Sequence, residues 1–460
     1  MSRAVRSIKI CLIGGGSQVW SPTIIRDIVF KPGMEDVRME FVLLDPSRER
    51  ALAIQRLFEA RFAAWKVDRV RIRWTWNAES ALRGAQFVLL TISTGRLEAM
   101  KHDVAIPEKY GIYHTVGDTS GPGGWSRALR NIPVFQRYAD QIRQYAPDAF
   151  VLNYTNPMGA LTKVLANELG WSRVIGLCHG LFENYAILKA IFGVEREEDI
   201  RARFGGLNHF FWLLDFTVKG QDGYALLRKK LRGRNLAELV RDSHTDAMGF
   251  SSDKLLAGEL YATYGLLPYF GDRHTCEFFS CYITDLEAMK RLKIVRTKVS
   301  QRHGIYRTAA KHIELWRQGK KGKWGVLDQK PSRETAADII RAVTLNETFC
   351  DVVNMVNIGQ IDNLPRGVVV ETLGMVSGDG FTPLAVGPMP KALLPVLLPN
   401  ADVQERTVAA ALAGDLEAAL QALIADPVCA KLTPITIRKM GLELLRANAK
   451  LLPQFSLPRR

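Results

Sequence analysis

The sequence contains no long hydrophobic run, and this excludes a transmembrane helix. Its longest apolar stretches, residues 87–92 and 392–398, are far shorter than the roughly 20 residues that a membrane-spanning helix needs. The opening segment, MSRAVRSIKI, has no apolar signal region and no cleavage site. We therefore expect a cytoplasmic protein that has no membrane partner.

The sequence also has few cysteines, and none of them forms a CxxC pair. The 6 cysteines are scattered over 460 residues, without the dense spacing of a disulfide framework or a structural zinc site. Such a distribution is typical of reduced thiols in a cytosolic protein. We expect most of them to be buried, which leaves one or two for chemistry.

Acidic residues are too few to balance the basic ones, and the formal net charge is +15. The basic clusters at 228–235 and 318–323 are short and do not alternate with aromatic residues, so we do not expect nucleic-acid binding. A positive balance of this size also suits an anionic cofactor or an anionic substrate.

The first 180 residues alternate between apolar strands and helical segments. This alternation predicts an α/β fold with a Rossmann-like, doubly wound parallel sheet, and we assign residues 1–180 to an NAD-binding domain. The segments predicted as strands are 7–14, 39–45, 70–74, 86–92, 148–157 and 173–179.

The remaining residues, 181–460, have a mixed pattern that predicts an α+β domain for substrate binding and oligomerisation. No low-complexity linker separates it from the first domain, so the two should share an interface. We predict helices at 252–264, 284–316, 334–353 and 416–425, and strands at 210–216 and 367–372.

A glycine turn between the first strand and the first helix predicts a dinucleotide site. Gly14, Gly15, Gly16 and Ser17 follow the first strand, where backbone can approach a pyrophosphate. Asp45 ends the second strand, and a carboxylate there favours the ribose hydroxyl of NAD over the phosphate of NADP. The third glycine of the usual fingerprint is missing, so the prediction depends on the whole strand–turn–helix–strand arrangement.

A thiol and an imidazole are candidates for a metal site. Cys178 follows a strand, so it should lie at the carboxyl edge of the sheet, and His209 opens the second half of the chain. Together they suit a borderline divalent ion, although spacing alone favours a buried cysteine and an ordinary polar histidine. The polar run at 269–277 offers a general base and an anion-binding arginine, or simply a charged loop.

Taken together, these residues resemble the NAD- and metal-dependent glycosidases of glycoside hydrolase family 4. The motifs occur in the order of that family and extend over most of the chain. They are IGGGS at 13–17, SPTI at 21–24, LLD at 43–45, GDTSGPGG at 117–124, NYTNPMGALT at 153–162, GLCHG at 176–180, GLNHFFWL at 206–213, GDRHTCEFF at 271–279 and VNIGQIDNLPRGVVVET at 356–372.

The resemblance implies a mechanism outside the two-carboxylate scheme of most glycosidases. The sugar is oxidised at C3 by NAD, deprotonated at C2 and cleaved by elimination of the glycosidic oxygen, while Mn²⁺ or another divalent metal is held by Cys178 and His209. It also implies a second half like that of lactate and malate dehydrogenases, and a homodimer or homotetramer.

The resemblance further implies roles for individual side chains. Asp272 matches the acidic position of the GDRH-type members and is our choice for the base, with Tyr269 and Tyr264 as alternatives. The acid is open between His179, which replaces an aspartate of some subgroups, and Asp118. Asp118 is alternatively a residue near the metal. Asn153 should contact the cofactor and the substrate hydroxyls.

The CHG sequence after the sheet resembles the α-galacturonidases within this family. α-Glucosidases and α-glucuronidases are the alternatives. For a uronide, Arg273 or Arg127 would receive the substrate carboxylate. Two other classes fit the first half of the chain: a 2-hydroxy-acid dehydrogenase, which would not need Cys178, and a non-catalytic NAD-binding regulator, which would lose little from a change at Asp272 or His209.

Overall fold

The computed structural model describes residues 6–242, 253–321, 327 and 332–457, and the statements below concern that part of the chain. No helix in these ranges has both the length and the apolar character that a membrane crossing needs.

Thirteen strands run through the described chain. They are β1 Ser7–Ile13, β2 Arg38–Leu44, β3 Val70–Thr75, β4 Phe87–Leu90, β5 Phe150–Asn153, β6 Val174–Gly176, β7 Ile200–Leu207, β8 Phe210–Val218, β9 Gln221–Asp222, β10 Leu267–Pro268, β11 Phe349–Val356, β12 Val369–Ser377 and β13 Gly380–Pro383.

The α-helices lie between and after these strands. They are α1 Ser21–Val29, α2 Arg48–Trp65, α3 Ala78–Leu82, α4 Arg96–Glu108, α5 Gly121–Tyr145, α6 Met158–Leu169, α7 Gly180–Phe192, α8 Gly223–Leu231, α9 Leu236–Asp242, α10 Leu255–Tyr264, α11 Asp272–Thr275, α12 Ser280–Ile283, α13 Leu286–Arg291, α14 Val299–Arg317, α15 Ala336–Leu345, α16 Leu394–Ala413, α17 Leu416–Ile424 and α18 Pro434–Ala447.

Six parallel strands form the first half of the sheet in the order β3-β2-β1-β4-β5-β6. This is the doubly wound order, in which the chain runs outward from β1 first in one direction and then in the other. The predicted Rossmann-like fold is therefore confirmed. The likeness of the second half to lactate and malate dehydrogenases stays a prediction.

The second half continues the same sheet with antiparallel strands. β11 lies between β6 and β12, and β7, β8 and β10 follow in that order. A single sheet thus crosses the predicted boundary at residue 180. The division into domains at that point remains a prediction, but the shared interface that we expected takes the form of a continuous sheet.

The inner parallel strands are buried on both faces, as their largely apolar sequences predict, whereas the edge strand β3 is partly exposed. Along β1, Ile8, Ile10 and Leu12 join one core, and Cys11 and Ile13 join the core on the opposite face. This alternation follows from the two-residue period of a strand. Helices cover both faces, so the polar residues that can meet a ligand collect at the strand ends.

Two of the predicted helices are wrong in extent. The predicted helix 284–316 is broken after α13, because Lys293 adopts a left-handed φ of +50° and the chain then runs irregularly to α14. The predicted helix 334–353 ends with α15, because Asn346 has a φ of +57°. The β-branched and aromatic residues that follow form β11, where the sheet offers partners.

Candidate active site

The predicted cofactor residues meet at the carboxyl edge of the sheet. Gly14 follows β1, Asp45 follows β2, and the Gly14 N–H donates to the Leu44 carbonyl at 2.9 Å. The strand order reverses between β1 and β4. Ligands of open α/β sheets bind at this edge, beside the point of reversal.

The glycine turn has the geometry that a dinucleotide needs. Gly14 has a φ of +86°, and a Cβ on it would lie 2.7 Å from the Thr91 carbonyl oxygen, so a larger residue would be strained there. Helix α1 begins just beyond, at Ser21, and no side chain in the described part of the chain caps its first turn. The Ser21 N–H already donates to the Ser17 carbonyl at 3.0 Å, and Pro22 has no N–H. The helix can therefore favour an anion such as a pyrophosphate mainly through the positive end of its dipole.

Asp45 is fixed by the turn that it faces. One carboxylate oxygen accepts the Gly16 N–H at 3.0 Å and the other accepts the Ser47 N–H at 2.7 Å. Arg50 lies 3.5 Å away. Each carboxylate oxygen has a second lone pair, so Asp45 can still accept a ribose hydroxyl from the crevice that it lines.

A crevice of about 500 Å³ runs along this edge of the sheet. Gly14, Ser17 and Asp45 line what we call the cofactor end, and Asp118, Arg127 and Arg302 line what we call the catalytic end. The walls of one crevice thus hold both predicted cofactor residues and predicted catalytic residues.

The two asparagines after β5 have different environments. Asn153 is fully buried, and its amide bonds to the backbone of Thr155 and to the Thr162 hydroxyl. Asn156 lines the crevice, and its buried side-chain oxygen has no partner among the described residues. The predicted ligand contact of Asn153 therefore stays a prediction, and Asn156 is the residue of this pair that is placed to meet a ligand directly.

Three side chains from distant parts of the chain converge beside the catalytic end. One ligand atom each of Asp118, His209 and His274 lies within 4.8 Å of the other two. The centroids of the two imidazole rings are 4.0 Å apart. A carboxylate and two imidazoles are a donor set that divalent transition metals accept, so these residues fit the metal that the sequence predicts.

The Thr119 hydroxyl determines which ring nitrogen of His209 has a lone pair available for a metal ion. The Thr119 hydroxyl donates to Asp118 Oδ1 at 2.9 Å and lies 3.0 Å from His209 Nδ1. Since the hydroxyl has only one hydrogen, His209 Nδ1 must be the donor in that contact. The other nitrogen, Nε2, then carries the lone pair that a cation needs.

Burial and charge set the protonation states in this cluster. Burial, reinforced by His274, lowers the pKa of His209 well below its usual value, so the ring is neutral. Burial alone would raise the pKa of Asp118, but His274, Arg127, His209 and Arg302 together hold it well below its usual range. Asp118 is therefore a carboxylate, and burial favours the neutral form of both imidazoles.

Cys178 lies between β6 and α7 and is connected to the β7–β8 turn. Asn208, which precedes His209 in that turn, bonds to the Cys178 thiol and donates to Glu371 Oε2 at 2.8 Å. Burial and the nearby Glu371 raise the pKa of Cys178 well above its usual value. Burial raises the pKa of Glu371 to about 7. Pairing of Cys178 with His209 on one metal remains a prediction.

Tyr269 and His179 lie on either side of this region. The Tyr269 ring stacks on His209 with 5.8 Å between centroids, and its hydroxyl has no hydrogen-bond partner among the described residues. His179 Nδ1 lies 3.6 Å from Glu334, and its ring packs near Trp20 of the glycine turn. Of these two, only Tyr269 contacts the Asp118–His209–His274 cluster.

The polar run at 269–277 is a short helix rather than an extended loop, and its side chains point in different directions. Asp272 is buried, and its carboxylate oxygens accept the N–H groups of Leu256 and Ala257, at the start of α10. Arg273 is only 9% exposed and its Nε donates to the Val295 carbonyl at 3.0 Å. The roles predicted for both residues stay predictions. His274 is the member of the run that joins the cluster.

Glu277 has a role that the sequence did not indicate. This buried carboxylate accepts the N–H groups of Thr115, Val116 and Gly117 at 2.7–2.9 Å, and also contacts His114 Nδ1 at 3.1 Å. Successive N–H groups around one oxygen form an anion-binding nest. Glu277 thereby fixes the loop that presents Asp118. Asp272, Arg273, His274 and Glu277 in this run were visible in the sequence, but nothing there indicated which of them faces inward.

Models of two parts of one family match most of the chain. The family 4 glycosyl hydrolase model matches residues 9–194, and the model of the C-terminal domain of the same family matches residues 204–429.

A curated relative is similar over nearly the full length. The α-galacturonidase of Thermoanaerobacter italicus is 32% identical over 455 residues, which are 96% of this chain and 96% of the relative.

Solved structures have the same fold. The Bacillus subtilis protein LplD, described as a glucosidase, superimposes with a TM-score of 0.85 at 30% identity over 96% of this chain and 100% of its own. A 6-phospho-α-glucosidase from gut microorganisms, in complex with NAD and Mn²⁺, gives a TM-score of 0.81 at 20% identity over 98% and 100% of the two chains. At that lower identity the likeness concerns the fold alone.

Proposed function

The chain belongs to the family 4 glycosyl hydrolases, and from that premise we propose that it is an α-galacturonidase that uses NAD and a divalent metal. The observation that carries this proposal is the 32% identity to an α-galacturonidase over 96% of both chains. The arginines at the catalytic end support it, because a uronide has a carboxylate that an unsubstituted sugar lacks.

The residues that would hold both groups are in place. The glycine turn and Asp45 suit NAD, and His209 with Cys178, Asp118 or His274 suits the metal. When bound, NAD supplies the reversible hydride acceptor that an elimination mechanism of this kind needs, and the metal supplies a Lewis acid beside the sugar hydroxyls. Asn156 and Asp118 would orient the sugar between them.

We assign removal of the C2 proton to Tyr269 in preference to Asp272. A general base must reach the proton that it removes, and the Tyr269 side chain stacks directly on His209 with no other partner for its hydroxyl in the described chain. The Asp272 carboxylate instead binds two backbone N–H groups at the start of α10. Two residues are candidates for the acid. Asp118 lines the crevice but stays ionised, so its carboxylate has no proton to donate. His179 lies at the start of α7, and its ring can donate a proton when it is charged.

The test is an assay of freshly reduced protein on four 4-nitrophenyl glycosides: α-galacturonide, α-glucuronide, α-glucoside and α-galactoside. We expect nitrophenol release that needs both NAD and Mn²⁺, without accumulation of NADH, and that is largest with the α-galacturonide. Reduction matters because oxidation of Cys178 would mask activity.

Two results would contradict the proposal. Nitrophenol release in the absence of NAD, after thorough removal of bound cofactor, would exclude the redox-assisted mechanism. A clear preference for the α-glucoside or the α-glucuronide would keep the family and the mechanism but replace the substrate.

A further inference from the structure

Arg302 is a cation at the catalytic end that has neither a hydrogen-bond partner nor an ion-pair partner in the described chain. It lies on α14 and lines the crevice together with Asp118 and Arg127. Its Nε is buried and has no hydrogen-bond partner, and no ion pair to its guanidinium occurs among the described residues. A partly buried guanidinium without an anion is costly, because the burial removes water without replacing its hydrogen bonds.

The other arginines near Arg302 already have partners. Arg127 Nε donates to the Asn156 carbonyl at 2.9 Å, and Arg273 Nε donates to the Val295 carbonyl at 3.0 Å. Neither of these sequence-predicted anion binders has its whole guanidinium free. Of these three arginines, Arg302 is therefore the one that can offer a complete fork to a ligand.

The charges around Arg302 leave room for one anion. Asp118 is the carboxylate that lines the catalytic end, and it faces two arginines, Arg127 and Arg302. A substrate carboxylate would supply a second negative charge for these two arginines.

We infer that Arg302 binds the C6 carboxylate of the uronide and is the specificity-determining residue of this site, an inference that rests on the proposed α-galacturonidase activity. The planar guanidinium matches a carboxylate in a bidentate pair, a geometry that a hydroxymethyl group cannot provide. Because a bound metal and NAD would act on C2 and C3 in the proposed mechanism, a fixed C6 would also align those carbons.

A second anion could in principle reach the same crevice, namely the diphosphate of NAD. The glycine turn and the N-terminal end of α1 already suit it at the cofactor end. Arg302 instead interacts electrostatically with Asp118, which lines the catalytic end, and with Arg273 and His274 beside it. This favours the substrate carboxylate.

The experiment compares Arg302→Gln and Arg302→Lys with Arg307→Gln, an exposed arginine on the same helix. For each enzyme we would measure kcat and KM on 4-nitrophenyl α-galacturonide and α-galactoside with saturating NAD and Mn²⁺, and the Kd of NAD by fluorescence. For Arg302→Gln we expect kcat/KM on the galacturonide to fall about 10- to 100-fold, mainly through KM. Activity on the galactoside and the Kd of NAD should change less than about threefold, the size of an effect under 1 kcal/mol.

The remaining outcomes are distinguishable. Arg302→Lys should recover part of the loss, because it keeps the charge without the fork, and it serves if Arg302→Gln folds poorly. An equal loss on both glycosides, or a weaker Kd for NAD with unchanged galacturonide selectivity, would overturn the role of Arg302 and leave the proposed function intact. A wild-type enzyme that does not cleave the galacturonide would overturn both.

Discussion

The two ends of the crevice differ in which parts of the chain form them: one consists mainly of backbone from a single turn, and the other of side chains from distant segments. At the cofactor end, consecutive residues of one turn would contact the cofactor through their backbone. The side chain beside that turn is Asp45, which accepts the N–H groups of Gly16 and Ser47. At the catalytic end, side chains come from the 114–120 loop, the β7–β8 turn and α11, and they meet only in the folded chain. A local stretch of sequence can encode the cofactor end. The catalytic end depends on tertiary packing and on buried carboxylates that fix its loops in position.

The comparison predicts that single side chains matter most at the catalytic end. Tyr269→Phe should lower kcat about 10²- to 10⁴-fold, the usual contribution of a general base, with little change in unfolding midpoint. Asp272→Asn should leave kcat within a few fold and lower the free energy of unfolding by about 0.5–2 kcal/mol, because it weakens the contacts at the start of α10.

Steady-state kinetics and urea unfolding of both variants provide the measurement. If Asp272→Asn instead lost kcat by more than a hundredfold while Tyr269→Phe stayed active, the original choice of Asp272 as base would be restored.

At the cofactor end, Asp45→Asn should weaken NAD binding about 10- to 100-fold, as expected for loss of one charge-assisted hydrogen bond. It should also reduce discrimination against NADP, because the negative charge that repels a 2′-phosphate is gone. Binding of Mn²⁺ in the absence of NAD should not change. Titration calorimetry with each ligand tests this, and Asp36→Asn, an exposed residue before β2, is the matched control. An equal loss of metal affinity would mean that the two ends are not separable.

The smallest effect should be a change in the pH dependence of stability. His114 and the N–H groups around Glu277 lower its pKa, although its burial acts in the opposite direction. A carboxyl with a lowered folded pKa stabilises the fold above its unfolded pKa of about 4.3, and this contribution is lost as the pH falls through the folded value. Glu277→Gln should therefore cost about 1–3 kcal/mol at pH 7, with the difference from wild type narrowing below about pH 4.

Urea unfolding between pH 3 and pH 7 measures that difference, with the exposed Glu287→Gln as control. A constant difference across this range would indicate that Glu277 acts through shape rather than charge.

The regular parts of the fold were predictable from sequence because their signals are local. A continuous apolar run, a glycine turn and an acid after the next strand indicated β1, Gly14 and Asp45, and the structure places all three at one sheet edge. The extents of α13–α14 and α15 were missed because Lys293 and Asn346 end helices in left-handed conformations that glycine usually supplies.

The catalytic end was predictable only as a set of candidates. The motif GDRH drew attention to Asp272, yet only the fold shows that Asp272 points to α10 and that His274 points to His209. Arg302 stands in an amphipathic helix among other basic residues, where nothing in a single sequence distinguishes a crevice-facing arginine from an exposed one. Such distinctions depend on packing between distant segments.

The continuity of the sheet has a practical consequence for dividing the chain. A fragment that ended at residue 180 would keep β6 but lose β11, the strand beside it. Strand β6 would then be an edge strand, and its unpaired backbone N–H and C=O groups could pair with a strand of another molecule. We therefore expect such a fragment to precipitate or to pair with copies of itself, and the two halves to require expression as one polypeptide.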